Sequence, residues 1–166
     1  MNTRSLMALS GTFGYELDLL DLSEEDKILI PQYVQLHADI ESIVRYCLSS
    51  CFFAFNPPTH TYLNECSTGR MYRLLSPFET GLCSWMFVTG DQTRAVVFAF
   101  NTQYYEVMWN YPRLKLRGLR EDVQYKVQPF HIGDTYNLSG RTLASAGLLV
   151  MFNGDSEALL FILDQI

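Results

Sequence analysis

Along residues 70–163 apolar positions recur every second residue or in short unbroken runs, the signatures of half-buried and fully buried strands. Met71, Tyr72, Leu74 and Leu75 form one such segment. Residues 83–89 and 94–100 form two more, with Gly90-Asp91 as the turn between them. Residues 113–117 (Arg-Leu-Lys-Leu-Arg) and 123–127 (Val-Gln-Tyr-Lys-Val) alternate strictly. Residues 148–152 and 159–163 complete the set, with Asn153-Gly154-Asp155 as a turn joining them. Short strands at this spacing, with no helical period among them, predict an antiparallel sandwich or barrel.

The first 69 residues have another texture. Leu6, Met7, Ala8 and Leu9 read as a buried strand that runs into the loop Gly11-Thr12-Phe13-Gly14. Ser23 followed by Glu24, Glu25 and Asp26 predicts a helix start, a hydroxyl cap with acids in the first turn. Tyr33, Leu36, Ile40, Ile43, Val44 and Cys47 then lie on one face of a helix. Pro31 is expected either to end the first turn or to open a second helical segment. Residues 47–68, with Phe52, Phe53, Phe55, Pro57 and Pro58, follow neither period and read as irregular.

Charge divides the chain in the same way. The net charge is −6, and residues 1–68 carry three bases against nine acids, so the remaining 98 residues are neutral. Arg113, Lys115, Arg117 and Arg120 are the only basic cluster, which is too sparse for a nucleic-acid footprint. Every apolar run is interrupted before the roughly 18 residues a membrane span needs, and the run after Arg4 is too short for the core of a secretion signal. Hydrophobic content of 48% with 14% aromatics belongs to a folded protein.

Candidate chemistry is thin. Acid/base hydrolysis of a glycosidic bond needs two opposed carboxylates. The available groups are Glu16/Asp18, Glu24/Glu25/Asp26, Glu121/Asp122 and Asp155/Glu157, and strand edges, caps and turns account for each. Cys47, Cys51, Cys66 and Cys83, with His60, lack the close pairs of a zinc site, and the four cysteines are expected to be buried or idle thiols. His37 is expected to be partly packed on its helix, and His131 stands apart from it. Tyr104, Tyr105, Trp109 and Tyr111 suit a sugar-stacking platform or a core or interface cluster. Asn137-Leu138-Ser139 is a glycosylation triplet, relevant only in a secreted chain.

Longer stretches resemble a known family. Ala8-Leu9-Ser10-Gly11-Thr12-Phe13-Gly14-Tyr15-Glu16-Leu17-Asp18-Leu19, followed by Leu22-Ser23-Glu24-Glu25-Asp26-Lys27, is similar to the last barrel strand and helix of family 36 α-galactosidases. Tyr72-Arg73-Leu74-Leu75-Ser76-Pro77-Phe78-Glu79, Trp85-Met86-Phe87-Val88, Arg113-Leu114-Lys115-Leu116-Arg117-Gly118-Leu119, and Gly133-Asp134 with Ala146-Gly147-Leu148 agree. The resemblance implies a mainly β chain: a residual β-α unit of a (β/α)8 barrel over residues 1–46, an irregular insertion or linker over 47–69, and a C-terminal antiparallel β-sandwich over 70–166.

For an intact enzyme the resemblance implies retaining hydrolysis of terminal α-galactose from substrates such as raffinose and melibiose, without a cofactor or metal and usually in a homo-oligomer. The family's Lys-Trp-Asp and Ser-Asp-x-Thr-Asp motifs, which hold its catalytic aspartates, are absent from this sequence. No catalytic, cofactor or metal residue is therefore carried over, and neither a nucleic-acid nor a membrane partner is expected. A complete barrel takes about 250 residues, more than this chain has. The alternative expectation is a noncatalytic sugar-binding or oligomerisation module. In the family the helix passes almost directly into the equivalent of Gly69-Arg70-Met71, so residues 47–68 depart from it as a loop insertion or translated intron.

Overall fold

The computed structural model describes residues 2–11, 13–14, 22–55, 69–102, 112–154 and 156–166, with 46–55 and residue 80 described by backbone alone. Strands β1 (Arg70–Leu75), β2 (Leu82–Val88), β3 (Arg94–Asn101), β4 (Arg113–Leu114), β5 (Gln124–Pro129), β6 (Tyr136–Ser139), β7 (Leu148–Leu149) and β8 (Ala158–Gln165) make two antiparallel sheets. Six strands are ordered β1-β2-β3-β8-β5-β6, and β4 pairs with β7 in a second, two-stranded sheet. Helices α1 (Asn2–Leu9), α2 (Glu24–Phe55), α3 (Pro77–Thr80) and α4 (Gly140–Ser145) complete the architecture.

The large sheet is covered on both sides, which explains why its central strands read as continuous apolar runs. In β3, Ala95, Val97 and Ala99 enter one core and Val96, Phe98 and Phe100 enter the other. The first core is closed by Leu114, Leu116, Leu143, Leu148, Val150 and Phe152, from the small sheet, α4 and their neighbours. The second is closed by Leu6 and Leu9 of α1 and by Tyr33, Leu36, Ile40, Ile43 and Val44 of α2. Burying those five α2 side chains contributes on the order of 10 kcal/mol before the cost of ordering them. Polar contacts fix the helices as well. Asn2 Nδ2 donates to the Ala158 carbonyl at 3.1 Å, the Tyr33 hydroxyl donates to Asn2 Oδ1 at 2.7 Å, and an Arg94 guanidinium nitrogen donates to the Asp39 carbonyl at 3.1 Å.

Ser23 starts α2 as expected: its Oγ accepts the Asp26 backbone N–H at 3.1 Å. The helical face from Tyr33 to Val44 is the buried one. Several other expectations are corrected. Residues 6–9 are helical in α1, not a strand. Leu, Met and Ala are strong helix formers, and a helix satisfies its own backbone where no neighbouring strand offers a ladder. Pro31 neither ends nor restarts α2, which passes through it. Pro31 is exposed, so water can serve the acceptor its missing N–H leaves. Helix α2 also runs on to Phe55, so residues 47–55 are helical rather than irregular.

Two short helices, α3 and α4, stand in the region where no helix was expected. Neither is long enough to show a period, and punctuation alone marks them: Ser76-Pro77 with Gly81 for α3, and Ser139 with Gly147 for α4. Residues 148–152 and 159–163 do not form a hairpin, because β7 joins the small sheet while β8 lies between β3 and β5. Residues 113–117 keep their alternating burial, yet only Arg113–Leu114 pair.

Candidate functional site

Most of the described carboxylates are engaged in turns, caps and surface pairs. Asp91 accepts the Thr89 hydroxyl at 2.6 Å and the Thr93 N–H at 3.1 Å inside the β2–β3 turn, and these bonds hold it below the ordinary 3.8. Asp122 is likewise held low by the Arg120 guanidinium, 3.2 Å away. Glu121 faces Arg141, Glu24 pairs with Lys27, and Asp164 with Arg94. Glu157 Oε2 accepts the backbone N–H groups of Asn153 and Gly154. Glu16, Asp18 and Asp155 lie outside the described residues.

Among the described residues three cavities open on the surface. One, of about 620 Å³, lies between the start of α1 and residues 153–157, and is lined by Arg4, Asn153 and Glu157. A second, of about 580 Å³, lies beside the edge strand β1, with Arg73, Phe78, Glu79 and Trp85 in its wall. The third, of about 470 Å³, is mostly apolar, between β5 and the small sheet, and includes Phe130, Asp134, Tyr136 and Met151. Among the described residues each of the three is lined by a single carboxylate, whereas either glycosidase mechanism uses a pair about 5 to 10 Å apart.

His37 stacks on Phe13 with ring centroids 4.9 Å apart, a packed residue as expected. His131 lies against Phe130 at 3.8 Å, and burial pushes its imidazole below the ordinary 6.5. Burial pushes the Cys83 thiol up against a smaller opposing pull from Arg73, which disfavours the reactive thiolate. The side chains of Cys47, Cys51 and Cys66, with His60, fall outside the described residues, as do Tyr104, Tyr105, Trp109 and Tyr111. Among the described residues no three His, Cys, Asp or Glu side chains gather as metal ligands, and no helix is long and apolar enough to cross a membrane. In the glycosylation triplet Asn137 is exposed on β6, an edge strand, and Ser139 caps α4 by accepting the Thr142 N–H at 3.1 Å.

Phe78 is 97% exposed, far beyond every other large apolar side chain described. The only signal for it was the Ser76-Pro77 start and Gly81 stop that hold a four-residue helix clear of the sheet.

A two-layer antiparallel β fold with helices across one outer face is the class of domain the described residues define. Residues 82–163 match the glycosyl hydrolase family 36 C-terminal domain. The chain is 31% identical to alpha-galactosidase AgaA of Geobacillus stearothermophilus over 145 residues, which is 86% of this chain and 17% of that protein. It is 32% identical to alpha-galactosidase 1 of Pediococcus pentosaceus over 126 residues, 76% of this chain and 14% of that one. A variant of AgaA crystallised with raffinose superposes with a TM-score of 0.77 at 28% identity, over 98% of this chain and 19% of the other. The galactosidase domain of the alpha-galactosidase-sucrose kinase AgaSK gives 0.76 at 26% identity, again over 98% and 19%. The chain belongs to glycoside hydrolase family 36 and carries its C-terminal domain.

Proposed function

We propose that this chain is the noncatalytic C-terminal part of an α-galactosidase, bracing a catalytic barrel whose aspartates lie outside these 166 residues. The observation that carries this reading is the match of residues 82–163 to the family's C-terminal domain, within a chain that spans 17% of the length of a full α-galactosidase and lacks both aspartate motifs. In this reading residues 70–166 are the β domain, and the segment before it derives from the last barrel unit and its connection. Helices α1 and α2 then transmit the barrel's position to the sheet, since their apolar faces sit directly on β3 and β8. The substrate class of the intact enzyme is an α-galactoside. Relatives of this chain were crystallised with raffinose and with stachyose.

Incubating the purified chain with a chromogenic α-galactoside tests the proposal. No turnover above a mock purification is expected, because one carboxylate cannot serve as both nucleophile and acid. Turnover that copurifies with the chain overturns it.

A further inference from the structure

The cavity beside β1 combines features that the bracing role does not use. Phe78 stands in solvent although its base is firmly built. Its helix opens with Pro77 at the first position, and Glu79 N–H donates to the Ser76 carbonyl at 3.2 Å. Gly81, in the left-handed region at φ 67°, donates to the Pro77 carbonyl at 3.1 Å. The Gly81 carbonyl in turn accepts both the backbone N–H of Thr102, at 2.9 Å, and its hydroxyl, at 2.5 Å. The ring is thus held out by a hydrogen-bonded turn, and an apolar side chain of this size left in water forgoes its burial energy. Trp85 adds a second aromatic wall, stacked at 4.9 Å on Phe100, so the floor of the cavity is fixed by the core. Arg73 and Glu79 supply donors and an acceptor on the same wall, and neither has an ion-pair partner among the described residues.

An exposed aromatic ring flanked by one cation and one anion suits a ligand that is apolar on one face, rich in hydroxyls at its edge and uncharged overall. A pyranose has that distribution, and about 580 Å³ is within the range of small-ligand sites. We propose that this cavity is a noncatalytic carbohydrate-binding site, in which Phe78 stacks on a sugar ring while Arg73 and Glu79 hydrogen-bond its hydroxyls. It holds an α-galactoside without cleaving it, since Glu79 faces no second carboxylate among the described residues of the cavity. The choice of sugar rests on the family reading above, whereas the site itself rests on the geometry of the wall.

Saturation-transfer NMR of the full chain with raffinose and with galactose decides the matter. Transfer to the sugar is expected in the parent, to be retained in Phe78→Tyr and Trp109→Ala, and to weaken about tenfold in affinity in Phe78→Ala. Phe78 packs against little, so circular dichroism and melting of Phe78→Ala should match the parent. No transfer in the parent overturns the proposal, as does transfer that survives Phe78→Ala. Self-association abolished by Phe78→Ala, without sugar contact, also overturns it in favour of a protein partner. The hydrolysis assay is independent: turnover sinks the bracing role, and silence of the sugar signal sinks only this site.

Discussion

The ring of Tyr72 stands where Gly118 would carry its β-carbon: the hydroxyl and two ring carbons lie 2.5 to 2.7 Å from that position. Gly118 also has φ +75°, so a side chain there is opposed both by the backbone and by its neighbour. Gly118→Ala should lower stability by about 1 to 3 kcal/mol, read as a fall in the urea midpoint at unchanged slope. Adding Tyr72→Leu should recover the steric share and leave the backbone share, so the two changes should not add.

Packing of α2 on the sheet is tested by residues six apart on one helix. Ile40 is fully buried and Val34 is about half exposed. Ile40→Ala should cost about 2 to 5 kcal/mol, and Val34→Ala should stay within about 0.5 kcal/mol of the parent. Equal losses at both positions would mean that another face of the helix meets the sheet.

The bond from the Tyr33 hydroxyl to Asn2 ties α1 to α2 at 2.7 Å. Tyr33→Phe keeps the ring against Phe130 and His131 while removing the donor. A loss of about 0.5 to 1.5 kcal/mol is expected, with earlier amide exchange in residues 2–9. Global melting with no local signature in α1 would contradict this tie.

Stability should fall with acid in two separate windows. His131 takes up its proton later in the folded chain than in the unfolded one, because burial holds its folded value below 6.5. Its contribution is therefore complete above 6.5 and is lost as pH falls towards the lower folded value. Asp91 is held below 3.8 by the Thr89 hydroxyl and then by the Thr93 N–H, so its contribution is lost only at lower pH, with the same sign. In melting curves between about pH 8 and pH 3, His131→Asn should flatten the upper window alone and Asp91→Asn the lower alone. Asparagine suits position 131 because the residue has φ 63°.

The β domain was legible wherever burial wrote its own period. Arg94–Asn101 and Ala158–Gln165 are buried on both faces and read as unbroken apolar runs, and Gln124–Pro129 alternates because one face meets water. The buried stripe of α2 was legible for the same reason. Residues 6–9 were not, since four apolar residues suit a strand and a helix equally and only their surroundings decide. The place of β8 was hidden too: alternation says which face of a strand is buried, and nothing about which strand lies beside it. At the cavity, no pattern in one sequence reports that a side chain such as Phe78 is held away from the core it could join.

The order β1-β2-β3-β8-β5-β6 places residues 158–165 between β3, which ends at Asn101, and β5, which begins at Gln124. During synthesis the hairpins made by β1 to β3 and by β5 and β6 emerge early, each with a raw edge, and stay unjoined until residue 165 leaves the ribosome. This sheet closes like a zip whose slider is threaded last, so a nascent chain stalled before residue 158 exposes two sticky halves to whatever chaperone is nearest.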